Sequence, residues 1–234
     1  MTDFHAAFSS ALALILNLDP DLIEIILLSL KVTLTGVGLA TLIGLPLGAF
    51  IALFKFPGRF GVVITLNAFM GLPPVVVGLV VYLLLSRSGP FGIFGLLFTP
   101  TAMIIAQCIL VTPILAALTR QAVADLWAEY AEQLTSLGAS PARAVPTLLW
   151  DARLTILTAI LAGFGRASAE VGAVMIVGGN IDHVSRVMTT AIALETSKGN
   201  LALALGLGII LMILSLVVNG SAYFLGDTVK RTQG

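Results

Sequence analysis

The sequence predicts an all-α integral membrane protein with five transmembrane helices. Of its 234 residues, 58% are hydrophobic and 10% are charged, and the mean hydropathy is +1.07. A soluble domain carries about 25% charged residues. The apolar residues form long runs, and about 20 apolar residues in a helix cross the ~30 Å hydrocarbon core of a bilayer. We therefore expect a multi-pass protein of the cell (inner or plasma) membrane, interrupted by one polar interval at residues 120–153.

Residues 1–21 are expected to stay outside the membrane core, on the extracytoplasmic side. The apolar patch Ala11–Leu18 is too short to span and ends at Asp19-Pro20-Asp21. No Lys or Arg precedes it, whereas a secretory signal has a positively charged start. We interpret Phe4–Leu18 as a helix that lies on the membrane surface.

The first two predicted spans cover residues 22–54 and 60–85. A straight helix over 22–54 would be about 50 Å long, which predicts a tilt or a bend near Pro46. The second span contains Pro73-Pro74 in its middle, and consecutive prolines remove backbone donors. Such a break is tolerated in lipid only where protein or water satisfies the freed groups. It is either a simple kink or part of a translocation path.

The remaining spans are predicted at residues 101–119, 154–179 and 201–225, which gives a transmembrane domain over 22–226 and a tail over 227–234. Cytoplasmic loops carry an excess of Lys and Arg. Placing the N-terminus outside and the C-terminus in the cytoplasm puts seven basic residues inside and three outside: Lys55, Arg59, Arg120, Arg143, Arg153, Lys230 and Arg231 against Arg87, Arg186 and Lys198. The polar interval 120–153, called the polar segment below, is then cytoplasmic.

Arg166 and Glu170 are the ionisable pair of the fourth predicted span. Residues four apart share a helix face and can form an ion pair. Ionisable groups at membrane depth are costly when unpaired and usually face the bundle interior or a cavity. The pair either neutralises itself and joins helices, or Arg166 biases a path toward anions while Glu170 holds it in place.

No catalytic or metal-binding constellation is visible in the sequence. It contains no GxxxxGK[ST] phosphate loop, no HExxH and no GxSxG. The two histidines, His5 and His183, are far apart, and we expect His183 to be an ordinary exposed loop residue. The net charge is zero, which gives no electrostatic reason to expect nucleic acid. We predict no enzyme activity, no cofactor and no metal.

The polar segment predicts two short helices around a turn. Residues 124–137 are good helix formers, and Gly138 suits a left-handed position after a helix. Ser140 is a suitable N-cap with Pro141 in the first turn of a second helix, expected over 141–145. Three acids share one face and are either solvated or meet a basic partner: Asp125, Glu129 and Glu132.

The pattern Glu132-x5-Gly138-Ala139-Ser140-Pro141 resembles the EAA loop of ABC-importer permeases. The resemblance covers about residues 22–226 and implies the type I importer, or MetI-like, fold. In that family a coupling helix in this loop docks into a separate ATPase subunit. The resemblance therefore implies that the residues contacting the ATPase are Glu132, Gly138, Ala139, Ser140, Pro141 and Arg143. Three positions depart from the motif: Gln133 and Leu134 replace two alanines, and Trp150 replaces a proline.

Within that family, Arg166-x3-Glu170-Val-Gly172-Ala173 is similar to the molybdate and tungstate permeases, and the stretch 188–199 most resembles the tungstate-type branch. The resemblance implies a permease homodimer, a pair of ABC ATPase subunits that hydrolyse ATP, and an extracytoplasmic oxyanion-binding protein. Tungstate is the expected substrate, with molybdate or another oxyanion as the alternative. The expected path residues are Pro73, Pro74, Arg166, Ser168 and Glu170.

Two alternatives of a different class remain open. An ion-coupled secondary transporter would need a coupling-ion site, for which a single Arg–Glu pair is thin support. A membrane-embedded enzyme or assembly factor would need a convergent polar site, which the sequence does not show. Uptake by this chain alone in liposomes would favour the secondary transporter.

Overall fold

A computed structural model describes the backbone of residues 2–233 and the side chains of residues 7–218 and 220–221. Within that range all regular structure is helical, which confirms the predicted all-α class. One short 3-10 helix occupies Gly92–Phe94. The α-helices are α1 (Thr2–Leu16), α2 (Pro20–Leu53), α3 (Arg59–Met70), α4 (Pro74–Leu85), α5 (Pro100–Ser136), α6 (Pro141–Asp151), α7 (Arg153–Ser168), α8 (Gly172–Gly178), α9 (Met188–Lys198) and α10 (Leu201–Gln233).

Length and composition identify three helices in the described range that could cross a membrane alone: α2, α5 and the part of α10 up to Val218. Two further pairs, α3 with α4 and α6 with α7, are apolar enough together and are each bent by more than 40° at a short break. If each bent pair is one span, the total is five. Which end of the chain lies in the cytoplasm stays a prediction.

The chain divides into two compact units. Unit 1 comprises Met1–Gly36, Pro73–Gln107 and Gly165–Val218, and unit 2 comprises Val37–Leu72, Cys108–Phe164 and Asn219–Gly234. Each unit has its own apolar core of buried residues. They are described separately below.

In unit 1, helix α1 packs against the first turns of α2 and against α10. Ala11 is fully buried, and Leu14 and Ile15 pack on a core that contains Leu22 and Leu207. Asp19 starts α2 by accepting the backbone N–H of Leu22 at 3.3 Å through its carboxylate. Helix α1 is thus an integral part of the unit. Its position on the membrane surface stays a prediction, and the Phe4 side chain lies outside the described residues.

In unit 2, helices α2 and α5 approach closely because glycine replaces a side chain. A Cβ atom on Gly48 would lie 2.5 Å from the Ala116 carbonyl oxygen and 2.8 Å from Thr119 Cβ. Small residues allow such close contact between membrane helices. Arg59 then closes the end of α2 by donating from Nε to the Ile51 carbonyl at 2.7 Å. Arg59, which in the sequence served only to predict the cytoplasmic side, thus also caps the C-terminal end of α2.

Candidate functional site

Arg166 and Glu170 form the ion pair that their spacing predicts. Arg166 Nη1 donates to Glu170 Oε2 at 2.7 Å. The two partners differ in burial, because the side chain of Glu170 is 4% exposed and that of Arg166 is 36% exposed. The carboxylate is therefore fixed inside unit 1, while part of the guanidinium stays accessible.

Glu170 lies in the three-residue connection between α7 and α8, so the predicted fourth span is two helices with a break at residues 169–171. Its second carboxylate oxygen accepts the Ala173 backbone N–H at 3.1 Å, in the first turn of α8. Its backbone carbonyl accepts the Thr189 hydroxyl at 2.8 Å. An anion at a helix N-terminus is stabilised by the exposed N–H groups and the helix dipole. Glu170 thus neutralises Arg166 and starts α8 with one side chain.

The helix break requires backbone groups to be satisfied away from regular helix. Non-helical backbone at membrane depth is tolerated only when protein or water pairs its polar groups. Gln107 of α5 donates from Nε2 to the Ala167 carbonyl at 3.2 Å, and Ser29 of α2 accepts the Met188 backbone N–H at 2.7 Å. Side chains on the long helices α5 and α2 therefore satisfy a carbonyl at the end of α7 and an N–H at the start of α9.

The proline break lies beside this region. Helix α3 ends at Met70, and α4 starts at Pro74 with Pro73 at its N-cap. A Cβ atom on Gly172 would lie 2.8 Å from Val75 Cγ2, the side chain that follows the two prolines. Unit 1 thus brings Pro73, Pro74 and the Arg166–Glu170 pair into one neighbourhood, although they are far apart in sequence.

A small cavity of about 20 Å³, lined by both polar and apolar side chains, adjoins Glu170. Its lining includes Glu170, Ser168, Gln107, Thr33 and Thr189. Among the described residues, Ser168 Oγ and Gln107 Oε1 are buried and have no hydrogen-bond partner. Ser168, predicted as a path residue, therefore lies at this cavity within unit 1. We call residues 166–173, with Ser29, Gln107 and Thr189, the helix-break site.

The predicted spans 154–179 and 201–225 leave residues 180–200 as a polar loop, and the structure differs from this expectation. Gly179 ends α8 in the left-handed conformation (φ 71°), and residues Met188–Lys198 form helix α9. The loop expectation is wrong there because Ala191 and Met188 are buried in the unit 1 core, a tertiary contact that the polar sequence does not reveal.

His183 is exposed, as predicted, and its Nδ1 lies 2.8 Å from Glu24 Oε2. That hydrogen bond is the main reason why the pKa of His183 is raised, and the negative charge of Glu24 adds to it. The contact ties the loop after α8 to the first turns of α2. In the described range no group of three or more His, Cys, Asp or Glu side chains could hold a metal ion.

The polar segment forms a helix–turn–helix, with two corrections to the predicted bounds. The first helix is the end of the 37-residue helix α5, so the third predicted span and the polar segment share one continuous helix. The second helix, α6, runs to Asp151 instead of 145, because Leu148 is fully buried and extends the packed face. Gly138 has φ 78°, as predicted. Ser140 is the N-cap residue, but its side chain makes no capping hydrogen bond.

The two faces of α6 have different surroundings within unit 2. Ala144 and Leu148 are buried against Leu53 of α2 and Val123 of α5. The opposite face and the turn are solvent-accessible, and the exposed residues are Glu132, Gly138, Ser140, Pro141 and Arg143. Ala139 is half-buried. The predicted ATPase-contacting residues therefore form one largely exposed surface on a rigidly packed support.

Trp150, where the sequence departs from the expected EAA pattern, lies in the last turn of α6. Its side chain is 69% exposed, and Arg153 lies over its ring at 5.1 Å from the centroid. Arg153 Nη1 also donates to the Trp150 carbonyl at 2.9 Å. A cation over an aromatic face is favourable. The Arg153 guanidinium thus contacts both the ring and the carbonyl of Trp150 at the end of α6.

A model of the family described as "Binding-protein-dependent transport system inner membrane component" matches residues 44–231. The chain belongs to this family. It is 39% identical to the tungstate uptake system permease protein TupB of Peptoclostridium acidaminophilum, over 94% of this chain and 96% of the relative. It is 43% identical to a probable anion ABC transporter permease protein of Haloferax volcanii, over 85% and 88% of the two chains.

The fold is that of a solved ABC transporter chain. A chain of the MetNI methionine transporter, in an inward-facing conformation, superposes with a TM-score of 0.74 over 91% of this chain and 98% of that chain, at 19% identity. The predicted MetI-like fold is confirmed. The protein is therefore a multi-pass membrane component of a binding-protein-dependent transport system.

Proposed function

We propose that this permease imports tungstate, as the membrane subunit of an ATP-driven transporter. The observation that carries the proposal is the near full-length match to a permease named for tungstate uptake. The helix-break site adds a chemical reason, because it presents a partly exposed arginine beside a buried carboxylate. An ABC ATPase pair and an oxyanion-binding protein are the partners that this function needs, and membrane lipid surrounds the spans.

Arg166 can bind a passing oxyanion weakly. A guanidinium has five N–H donors in a fixed fork, and Glu170 takes the hydrogen bond from Nη1. The remaining donors are oriented, while the paired carboxylate offsets most of the positive charge. Transport requires binding strong enough to admit an ion and weak enough to release it. A neutralised, oriented arginine meets that requirement better than an isolated charge would.

The substrate is tested by reconstituting the permease with its ATPase and binding protein in liposomes. We expect ATP-dependent uptake of tungstate, with molybdate as a weaker competitor and sulfate as a poor one. Stronger uptake of molybdate would move the assignment to the alternative oxyanion. Uptake by the permease alone, driven by an ion gradient, would contradict the importer and support a secondary transporter.

Arg166→Gln tests the proposed path role. The glutamine keeps hydrogen-bonding capacity but loses the charge and the fork, so we expect uptake to fall about tenfold or more while the complex still assembles. The matched control is Arg87→Gln, at an exposed position after α4 that is assigned to neither the path nor the ATPase contact, and its ATPase binding and uptake should match wild type. Normal uptake by an assembled Arg166→Gln complex would remove Arg166 from the path.

The exposed surface of the polar segment is proposed to transmit ATPase closure to the spans. We assign the contact to Glu132, the turn at Gly138–Pro141 and Arg143, which the structure exposes on one packed support. Two copies of the chain would each present this surface to one ATPase subunit. This arrangement requires a cytoplasmic polar segment, with the N-terminus outside, a cytoplasmic C-terminus and the tail 227–234 inside.

A further inference from the structure

Gln107 holds the turn that creates the Arg166–Glu170 geometry. The Ala167 carbonyl accepts two hydrogen bonds, from the Glu170 backbone N–H at 3.2 Å and from Gln107 Nε2 at 3.2 Å. The first is the tight turn that ends α7, and the second comes from another helix. Gln107 is 3% exposed. Its amide therefore fixes the carbonyl next to Arg166 and, through the turn, the position of Glu170.

Helix α2 leaves the space that this amide occupies. A Cβ atom on Gly36 would lie 3.0 Å from both Cβ and Oε1 of Gln107, closer than side chains normally approach. Gly36 is buried in unit 1 and faces Gln107 with a hydrogen atom only. A larger residue at this position would displace the Gln107 amide from the position in which it donates to Ala167.

The other end of the amide points to a bound water. Gln107 and Ser168 both line the cavity of about 20 Å³, and neither Gln107 Oε1 nor Ser168 Oγ has a partner in the described part of the chain. A polar cavity of about 10–15 Å³ or more holds one water when two to four polar partners surround it. One water could donate to Gln107 Oε1 and bond Ser168 Oγ, so that both costly buried groups are satisfied.

We propose that Gln107 is a positioning residue for Arg166, and that it acts through the Ala167 carbonyl together with one buried water shared with Ser168. The proposal rests on the path role of Arg166 given above. It assigns a transport role to a residue whose hydrogen bond goes to the Ala167 carbonyl, not to the ion pair, and whose α5 position carries no motif. It also reassigns Ser168, which was predicted to line the path, to holding the buried water.

The test uses the assembled transporter in liposomes and measures tungstate uptake for a double-mutant cycle. Gln107→Leu keeps the approximate volume but removes donor and acceptor, and we expect about a tenfold loss of turnover, as for lost orienting partners elsewhere. If Gln107 acts through Arg166, Gln107→Leu together with Arg166→Gln is no slower than Arg166→Gln alone. Additive losses from an assembled double variant would overturn the positioning role.

Gly36→Ala provides a second variant that leaves Gln107 intact. The added methyl group displaces the amide from α2, so uptake should fall in the same direction as for Gln107→Leu. The control is Gly38→Ala, because a Cβ atom there meets nothing within 4 Å, and its uptake should match wild type. Equal uptake by the Gly36→Ala and Gly38→Ala transporters would overturn the proposal.

The water is tested directly by a high-resolution experimental structure of the wild-type transporter. We expect density within hydrogen-bonding distance of Gln107 Oε1 and Ser168 Oγ, and its loss in Ser168→Ala. If the two side chains close the cavity and no density lies between them, the proposed water is contradicted. If Arg166→Gln takes up tungstate at the wild-type rate, both the path role and this proposal are overturned. If Arg166→Gln is defective but Gln107→Leu takes up tungstate at the wild-type rate, only the positioning role is overturned.

Discussion

The helix-break site and the polar segment use polar residues differently: they are buried in the first region and exposed in the second. In the helix-break site of unit 1, Glu170 is 4% exposed, and its carboxylate is satisfied by other protein groups. In the polar segment of unit 2, the polar residues face solvent and the apolar residues Ala144 and Leu148 hold the structure. Loss of a polar group should therefore destabilise the first region, and loss of an apolar group the second.

The largest effect is expected from Glu170→Ala in the helix-break site. It leaves Arg166 and the Ala173 N–H without their partner, and breaking a buried pair costs about 3–5 kcal/mol. Thermal unfolding of the purified permease measures this change. The control, Asp125→Ala on the exposed end of α5, should stay within about 0.5 kcal/mol. Equal destabilisation by the two variants would contradict the contrast between the regions.

Leu148→Ala tests the apolar support of the polar segment. Leu148 is fully buried, and its truncation should cost about 2–5 kcal/mol through lost burial and a new cavity. Its counterpart is Leu137→Ala at the turn, where the side chain is 85% exposed and unfolding should barely change. We expect Leu137→Ala to weaken ATPase binding instead, measured by co-purification. A stability loss at Leu137 would mean that the turn is packed.

Gly138→Asp separates the surface of the polar segment from its backbone strain. A non-glycine residue at φ 78° costs about 1–2 kcal/mol, because its Cβ approaches the following carbonyl. The matched control is Gly58→Asp, at φ 83° and also without neighbours within 4 Å of an added Cβ. Both variants should lose similar stability, but only Gly138→Asp should lose the ATPase on co-purification. Equal loss of the ATPase would make strain alone the cause.

The smallest effect concerns His183, at the surface of unit 1. Its pKa is raised from 6.5, first by the hydrogen bond to Glu24. Because the pKa of His183 is higher in the folded than in the unfolded protein, the interaction stabilises the folded state fully at pH values below 6.5. This contribution is lost as the pH rises through the folded-state pKa. NMR titration in the variant His5→Gln, where His183 is the only histidine, should show the raised pKa. Glu24→Gln should lower it toward 6.5, and an unchanged pKa would show that Glu24 is not the cause.

Local rules in the sequence predicted several features of both regions. Spacing of four residues predicted the Arg166–Glu170 ion pair, although Glu170 lies just beyond the end of α7, and the left-handed preference of glycine located the turn at Gly138. Two consecutive prolines marked the break before Val75. These features depend on the geometry of a few neighbouring residues, which the sequence contains in full.

Residues with no local signal were not predicted. Gln107 and Ser29 are single polar residues in apolar helices, and their function becomes visible only where the chain brings Ala167 and Met188 to them. Helix α9 was expected to be a loop for the same reason, since its burial comes from residues far away in the chain. A polar residue within an apolar run, placed at the depth of a helix break, is the signal that could have found Gln107.

The sequence by itself determined the all-α membrane class, the polar segment and the ion pair, because hydrophobic runs and short-range helix geometry need no partner. Only the tertiary structure decided how the broken helix ends are satisfied. Gln107 and Ser29, on distant helices, satisfy backbone groups at the end of α7 and the start of α9, since hydrocarbon offers no alternative hydrogen bond. It also decided that Glu170 is buried while Arg166 remains accessible, the asymmetry on which the proposed path depends.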